Sequence, residues 1–240
     1  NGSILPLCYQ YFFSKMYREN SGKFFTPHPV ARAMSNLLPL KDNAIIMDPT
    51  CGGGTFLVEA SRRFSDLSCY LIGNDIDQTL IYLTDVVLGL NAPKNHLKSS
   101  IISNIFTPTL EFKRWFNKVD FILANPPFSL KISSIESESK LFNLGYRNSD
   151  ALFLDVCLNL LKPGGMLVCL LPHSIVANKE FLKFRLQVER EWILLGIIGM
   201  PEGVFYTTAN TSTRADIIML QKKEKYASKK EAFFAFAPSV

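Results

Sequence analysis

Cysteine is scarce and unpaired in this chain of 240 residues: five in all, Cys8, Cys51, Cys69, Cys157 and Cys169, with no C-x-x-C pair. An odd, scattered set argues against a disulfide frame and a cysteine-type zinc site, and points to a reducing cytoplasm. Histidine is scarcer still. His28, His96 and His173 share no metal-ligand spacing, so no metal is expected. Apolar runs are too short to span a bilayer. The early stretch "ILPLCYQYFF" has neither a basic leader nor a small-residue cleavage site, which argues against a signal peptide. No G-x-G-x-x-G occurs, and no glycine-rich loop is followed by Lys-Ser/Thr. A dehydrogenase-type dinucleotide site and a phosphate-binding P-loop are therefore both disfavoured. Repeats and long linkers are also absent.

What is present fits one large α/β domain: 48% hydrophobic and 20% charged residues, with a net charge of +5 that is compatible with a polyanion partner. Buried strands are predicted at 44–48, 69–75, 99–103, 119–125, 165–172, 192–200 and 214–223, with helices between most of them. Alternation of this kind gives a mostly parallel sheet with helices on both faces. The sixth and seventh strands have no helix between them, so the sheet is expected to end antiparallel. Thr26 is predicted to cap a helix with Pro27 at its first position, and Asp77 to cap the helix after the second strand. The expected layout is an amino-terminal helical segment (1–21), a main domain (22–222) and a basic extension (223–240).

Ligands of such sheets bind outside the carboxyl ends of the strands, near the point where strand order reverses. Three unusual endings fall on that rim. The first strand runs into Asp48-Pro49-Thr50-Cys51-Gly52-Gly53-Gly54, whose glycines let a ligand approach the backbone. The leading aspartate disfavours phosphate and favours an ammonium. Asp75 ends the second strand and suits a bidentate hold on ribose hydroxyls, Asp77 being committed to its helix. Ammonium plus ribose describes S-adenosylmethionine; the plainer alternative is a tight turn with a structural aspartate. The fourth strand ends in "FILANPPFS" (121–129), where two proline rings fix a stiff corner behind Asn125.

With Asn125 added, four ordered blocks resemble the amino-group DNA methyltransferases, especially the adenine-specific enzymes and the modification subunit of type I restriction systems. They are "GKFFTPHPVA" (22–31), "DPTCGGGTFL" (48–57), "IGNDID" (72–77) and "NPPF" (125–128). The later stretches 160–172 and 197–222 resemble the same family, so the resemblance covers about residues 22–222. It implies a Rossmann-like S-adenosylmethionine-dependent methyltransferase fold of seven strands with the last antiparallel. It implies a cofactor site of Phe25, Thr26, Pro27, Asp48, Pro49, Cys51, Gly52, Gly54, Phe56, Asp75 and Ile76. Phe25, Thr26 and Pro27 would line its methionine end. Many relatives carry an aspartate after the third strand, facing the cofactor adenine; here Asn104 is the residue expected in that place.

The expected catalytic residues are Asn125, Pro126, Pro127 and Phe128. The Asn125 side-chain oxygen and the Pro126 carbonyl would accept the two hydrogens of an adenine amino group, and Phe128 would stack on a flipped base. DNA is the expected partner, together with a specificity subunit and a restriction subunit. The alternatives are methylation of another amino group, on cytosine, ribosomal RNA or protein glutamine, and a non-catalytic cofactor-binding module. The polar stretch 129–150 reads equally as a segment closing over substrate and as a tolerated surface insertion. The basic run 221–230 reads as a solvated edge.

Overall fold

The computed structural model of the protein describes residues 26–133, 139–201, 214–224 and 232–237. The predicted amino-terminal helical segment (1–21), Phe25, the connection 202–213 and most of the basic run 221–230 lie outside the described residues. The strands are β1 (Ala44–Asp48), β2 (Cys69–Asp75), β3 (His96–Ile102), β4 (Val119–Ala124), β5 (Leu161–Pro172), β6 (Trp192–Gly199), β7 (Ala215–Lys222) and β8 (Phe233–Phe236). The helices are α1 (His28–Asn36), α2 (Thr55–Arg63), α3 (Gln78–Asn91), α4 (Leu110–Lys113), α5 (Lys140–Asn143), α6 (Ser149–Leu160), α7 (His173–Ala177) and α8 (Leu182–Glu191).

All eight strands join one sheet in the order β3-β2-β1-β4-β5-β7-β6-β8. Strands β3 to β5 are parallel. Strand β7 inserts between β5 and β6, antiparallel to both. The antiparallel end is as expected, but the described residues form eight strands where seven were predicted. The eighth, β8, pairs in parallel with β6 inside the stretch assigned to a basic extension. It is four residues long, too short a run for its phenylalanines to mark a strand on their own. Its rings settle over glycines: a Cβ on Gly196 or Gly199 would come within 2.6 Å of Phe233 or Phe236.

Neighbouring strand residues feed opposite cores. Ile46, Phe121 and Val168 join one apolar cluster with α2 and α3, while Met47, Ile122 and Leu167 join another with α6 and α8. Burial on both faces explains why these strands read as continuous apolar runs. Fully buried side chains such as Phe64 and Phe153 each contribute roughly 1.5–3 kcal/mol relative to exposure.

Some boundaries differ from expectation. Helix α1 begins at His28 with Pro27 in the cap position, and the Thr26 hydroxyl is engaged elsewhere. Strand β5 starts earlier, at Leu161, with a bulge opposite Val119–Phe121. Asp77 does cap α3, accepting the Thr79 N–H at 2.9 Å. Among the described residues no helix is long and apolar enough to cross a membrane.

Strand β1 lies between β2 and β4, so the chain winds to one side through β2 and β3 and then returns to the other through β4. The carboxyl ends of β1 and β4 therefore open onto the crevice that this topology creates.

Candidate active site

The loop leaving β1 is shaped by residues that turn inward. Asp48 is 1% exposed. Its Oδ1 accepts the Thr50 N–H at 3.0 Å, while its Oδ2 is buried with no partner. Burial pushes this carboxyl well above the usual carboxylate range; the Thr50 N–H opposes that, and the Asp75 charge adds to it. Thr50 Oγ1 and Asn74 Oδ1 are also buried and unpartnered. Unsatisfied buried polar atoms are costly, so their concentration in this loop and the β2 end that anchors it marks a place suited to a polar ligand.

Gly52 and Gly54 adopt positive φ, 52° and 80°. A Cβ on Gly54 would meet Thr84 at 3.1 Å, whereas one on Gly52 would meet nothing within 4 Å. Gly52 thus leaves open ground in front of the backbone, with half-buried Gly53 beside it. Pro49 is buried, and Phe56 supports the loop from the core at 3% exposure.

Strand β2 anchors this loop. The Asn74 carbonyl accepts the Cys51 N–H at 2.8 Å, and Asp75 Oδ2 accepts the Gly52 N–H at 3.1 Å. Asp75 Oδ1 takes the Asp77 N–H at 3.0 Å. The Asn74 side chain donates to the carbonyls of Pro49 (2.9 Å) and Ser103 (3.0 Å), tying the ends of β1 and β3 together. Thr84 donates to the Gly52 carbonyl at 2.9 Å. Ile76 stands 60% exposed beside Asp75, an apolar face on the rim. Asn104 is half-buried, and its Oδ1 accepts the Phe106 N–H at 2.9 Å, closing a local turn.

Cys51 lies beneath the loop, its Sγ 3.6 Å from Thr84 Oγ1. Burial pushes its thiol, and those of Cys157 and Cys169, well up, and pushes Cys69 to about 12. The thiolate is the reactive form. Iodoacetamide at pH 8 should therefore label these four cysteines of the folded protein at least ~100-fold more slowly than free cysteine, as read by peptide mass mapping. Fast labelling at Cys51 would contradict the buried loop.

The corner after β4 meets residues from far away in the chain. Asn125 Nδ2 donates to Thr26 Oγ1 at 3.1 Å across 99 residues. Thr26 is 5% exposed, and half-buried Pro27 follows it into α1. Helix α1 is fastened to α2 through Glu59, only 2% exposed, which takes His28 Nδ1 (3.2 Å), Arg32 Nε (3.1 Å) and Arg62 (2.6 Å). Because the Asn125 nitrogen faces Thr26, its oxygen is turned the other way. Pro126 is buried, Pro127 is exposed, and Phe128 is half-buried against the α2–α3 core.

The exit from the corner is braced by α6. Ser129 has a left-handed φ of 55°, and its N–H donates to both carboxylate oxygens of Asp150, at 3.0 and 3.2 Å. Ser149 Oγ donates to the Pro127 carbonyl at 3.2 Å and accepts the Leu130 N–H at 3.0 Å. Lys131 and Asn148 form a bridge just beyond. The described ends of the 129–150 stretch are thus pinned to the fold, and its short helix α5 is capped by Ser139.

The structure brings Thr26 against Asn125, and Asp48, Gly52 and Asp75 into one hydrogen-bonded loop system on the same rim. Sequence reasoning missed Asn74, Thr84, Ser149 and Asp150. A polar residue ending an apolar strand, as in "LIGND", could have flagged Asn74. The Asp150 contact, 21 residues from its partner, left no local signal. A cavity of about 690 Å³ lies elsewhere, between α8 and the strands β5, β6 and β7, lined by apolar groups such as Leu171, Phe184 and Trp192. None of the predicted site residues lines it. Among the described residues no group of three or more His, Cys, Asp or Glu is placed to hold a metal ion.

The chain is similar to several known proteins. The chain is 25% identical over 236 residues to the type I restriction enzyme MjaVII methylase subunit of Methanocaldococcus jannaschii, covering 92% of this chain and 39% of that protein. It is 31% identical over 137 residues to a tRNA (guanine(10)-N2)-dimethyltransferase of the same organism, covering 53% of this chain and 36% of that one. A modification subunit of a type I restriction enzyme from Vibrio vulnificus YJ016 shares the fold, with a TM-score of 0.73 and 21% identity over 91% of this chain and 49% of the other. The chain thus spans roughly two fifths to a half of these restriction-system relatives. Residues 2–238 match the N-6 DNA methylase family, and the chain belongs to it.

Proposed function

We propose that this domain transfers a methyl group from S-adenosylmethionine to the exocyclic 6-amino group of adenine in DNA, as the catalytic part of a restriction-modification methyltransferase. The observation that carries the reading is the Asn125–Thr26 hydrogen bond at the end of β4, the neighbour of β1, whose own end carries the Asp48–Gly54 loop; it would leave the amide oxygen to face a base in the crevice between them.

The cofactor fits the residues present. The unpartnered Asp48 Oδ2 would receive its ammonium group, which would also favour the carboxylate that burial disfavours. Asp75 would hold the ribose, Ile76 would pack on it, and the open face of Gly52 would allow close approach. Thr26, Pro27 and, outside the described residues, Phe25 would border the methionine end. Asn104 would face the adenine ring with an amide in place of a charged acceptor. When bound, the cofactor supplies an electrophilic methyl group.

An adenine amino group is a poor nucleophile, because its lone pair is delocalised into the ring. The Asn125 oxygen and the Pro126 carbonyl would each accept one of its hydrogens, and both bonds strengthen as the nitrogen becomes tetrahedral. That favours the transition state over the ground state. Phe128 would offset part of the unstacking cost of a flipped base. While the Asn125 oxygen and the Pro126 carbonyl hold the amino hydrogens, the amino nitrogen would receive the methyl group that the cofactor supplies.

The Thr26 hydroxyl would hold the Asn125 amide in place through that hydrogen bond. Thr26→Val should lower kcat about tenfold, the loss of about one hydrogen bond, while Thr26→Ser recovers most of the rate. Equal rates for valine and serine would remove Thr26 from the account.

The reading as a whole is tested by incubating the complete methyltransferase with labelled S-adenosylmethionine and DNA, RNA or protein, then identifying the product. N6-methyladenine in DNA is the expected product. The similarity to a tRNA guanine methyltransferase favours, as a second reading, an amino group of RNA; label in RNA alone would select it. DNA recognition and assembly with specificity and restriction subunits belong to the same proposal, as does a reducing, cytoplasmic setting for the free thiols.

A further inference from the structure

The brace behind the NPPF corner has no part in the chemistry proposed above, yet it is built from buried polar groups. Asp150 is 1% exposed and Ser149 is 2% exposed, both in the first turn of α6. A buried carboxylate is costly unless its oxygens are used. Here the Ser129 N–H donates to both oxygens, and the Ser129 hydroxyl approaches Oδ2 at 3.4 Å. Ser149 Oγ reaches the Pro127 carbonyl on one side of Phe128 and the Leu130 N–H on the other, and the Leu130 carbonyl accepts the Ser149 N–H at 2.8 Å. Residues 127, 129 and 130 are therefore all gripped, and Phe128 is carried between them.

Ser129 needs this grip. Its φ of 55° is left-handed, a region that residues other than glycine enter at a cost and leave when unsupported. Were Ser129 to relax to extended backbone, the chain would turn differently on leaving Phe128. The ring would swing, and the Pro126–Pro127 corner would lose its far support. The helix amino terminus helps to hold the charge in place: Asn148 caps α6 by accepting the Asp150 N–H at 2.8 Å.

We propose that Asp150, with Ser149, is a positioning residue for methyl transfer: it locks Ser129 left-handed and so fixes the Phe128 ring against the target base. The proposal rests on the reading of the NPPF corner as the catalytic one. Asp150 contacts neither cofactor nor substrate in this account. Its loss should therefore leave cofactor binding alone and act on turnover and on base stacking.

The test uses the complete methyltransferase, DNA with 2-aminopurine at the target position, and four variants: Asp150→Asn, Asp150→Asn with Ser129→Gly, Ser149→Ala and Asn125→Ala. For Asp150→Asn, kcat should fall roughly 10- to 100-fold, with the dissociation constant for S-adenosylmethionine within twofold of wild type. The 2-aminopurine signal should rise, because a flipped base is no longer quenched by stacking on Phe128. Ser149→Ala should shift both readouts in the same direction by a smaller amount. Glycine enters left-handed backbone freely, so adding Ser129→Gly should restore part of the lost rate. Asp150→Asn with wild-type kcat would overturn the brace, provided that Asn125→Ala is inactive. An equal loss of cofactor affinity and turnover, with no rescue by glycine, would also overturn it, by making Asp150 a general support of the fold. An active Asn125→Ala would overturn the corner reading itself, and the brace with it.

Discussion

Asn125→Ala should leave the complete methyltransferase able to bind S-adenosylmethionine within about twofold of wild type, yet lower kcat by roughly 10²–10³-fold, the scale on which removal of one preorganised electrostatic partner acts. The separation follows from where the residue stands. Asn125 is half-buried at the end of β4, and its side chain bonds to Thr26, ahead of α1, not to the β1 loop, among the described residues. Asn125→Asp should retain much more activity than alanine. A carboxylate accepts from the same base hydrogens, and the Thr26 hydroxyl can rotate to donate where it now accepts. Loss of cofactor affinity in parallel with kcat would instead place Asn125 in the cofactor pocket.

Asp75→Ala should have the largest effect on cofactor binding. Its carboxylate does two things: it would hold the ribose, and it fastens the loop by taking the Gly52 and Asp77 N–H groups. Hydrogen bonds to charged groups contribute about 1.5–3 kcal/mol each, and each 1.4 kcal/mol is a factor of ten. Calorimetric titration should therefore find the affinity for S-adenosylmethionine reduced about 100-fold or more. Asp75→Asn should not rescue it fully, because one end of an amide would point a donor at a backbone donor. Binding unchanged by Asp75→Ala would mean that the ribose lies elsewhere.

The parts of this site that were legible in the sequence are those set by local backbone chemistry. Gly52 and Gly54 announce positive φ, Pro126 and Pro127 announce a stiff corner, and Asp77 announces a cap. Apolar runs alternating with helical segments implied a mostly parallel sheet, and with it a common rim for the ends of β1, β2 and β4; the strand order itself was not predicted. Contacts between distant segments were not legible. Thr26 reads equally well as a helix cap, and only the packing of α1 on α2 through Glu59 delivers its hydroxyl to Asn125. Asp150 reads as an ordinary first-turn acid until Ser129 is brought to it. Strand β8 needs the glycines of β6 beneath its rings, which no reading of four residues supplies. Asn104 stays a proposal, since its oxygen closes a turn to Phe106 while the ring it would face comes with the cofactor.

The central claim is that the loop after β1 and the corner after β4 are two halves of one site. A crystal structure of the domain with S-adenosylmethionine tests it most directly. The account predicts ribose hydroxyls on Asp75, the ammonium at Asp48, and the sulfonium methyl directed at the side of the crevice where Asn125 presents its oxygen. A cofactor seated in the apolar cavity beside α8, or one whose methyl group faces away from Asn125, would contradict it.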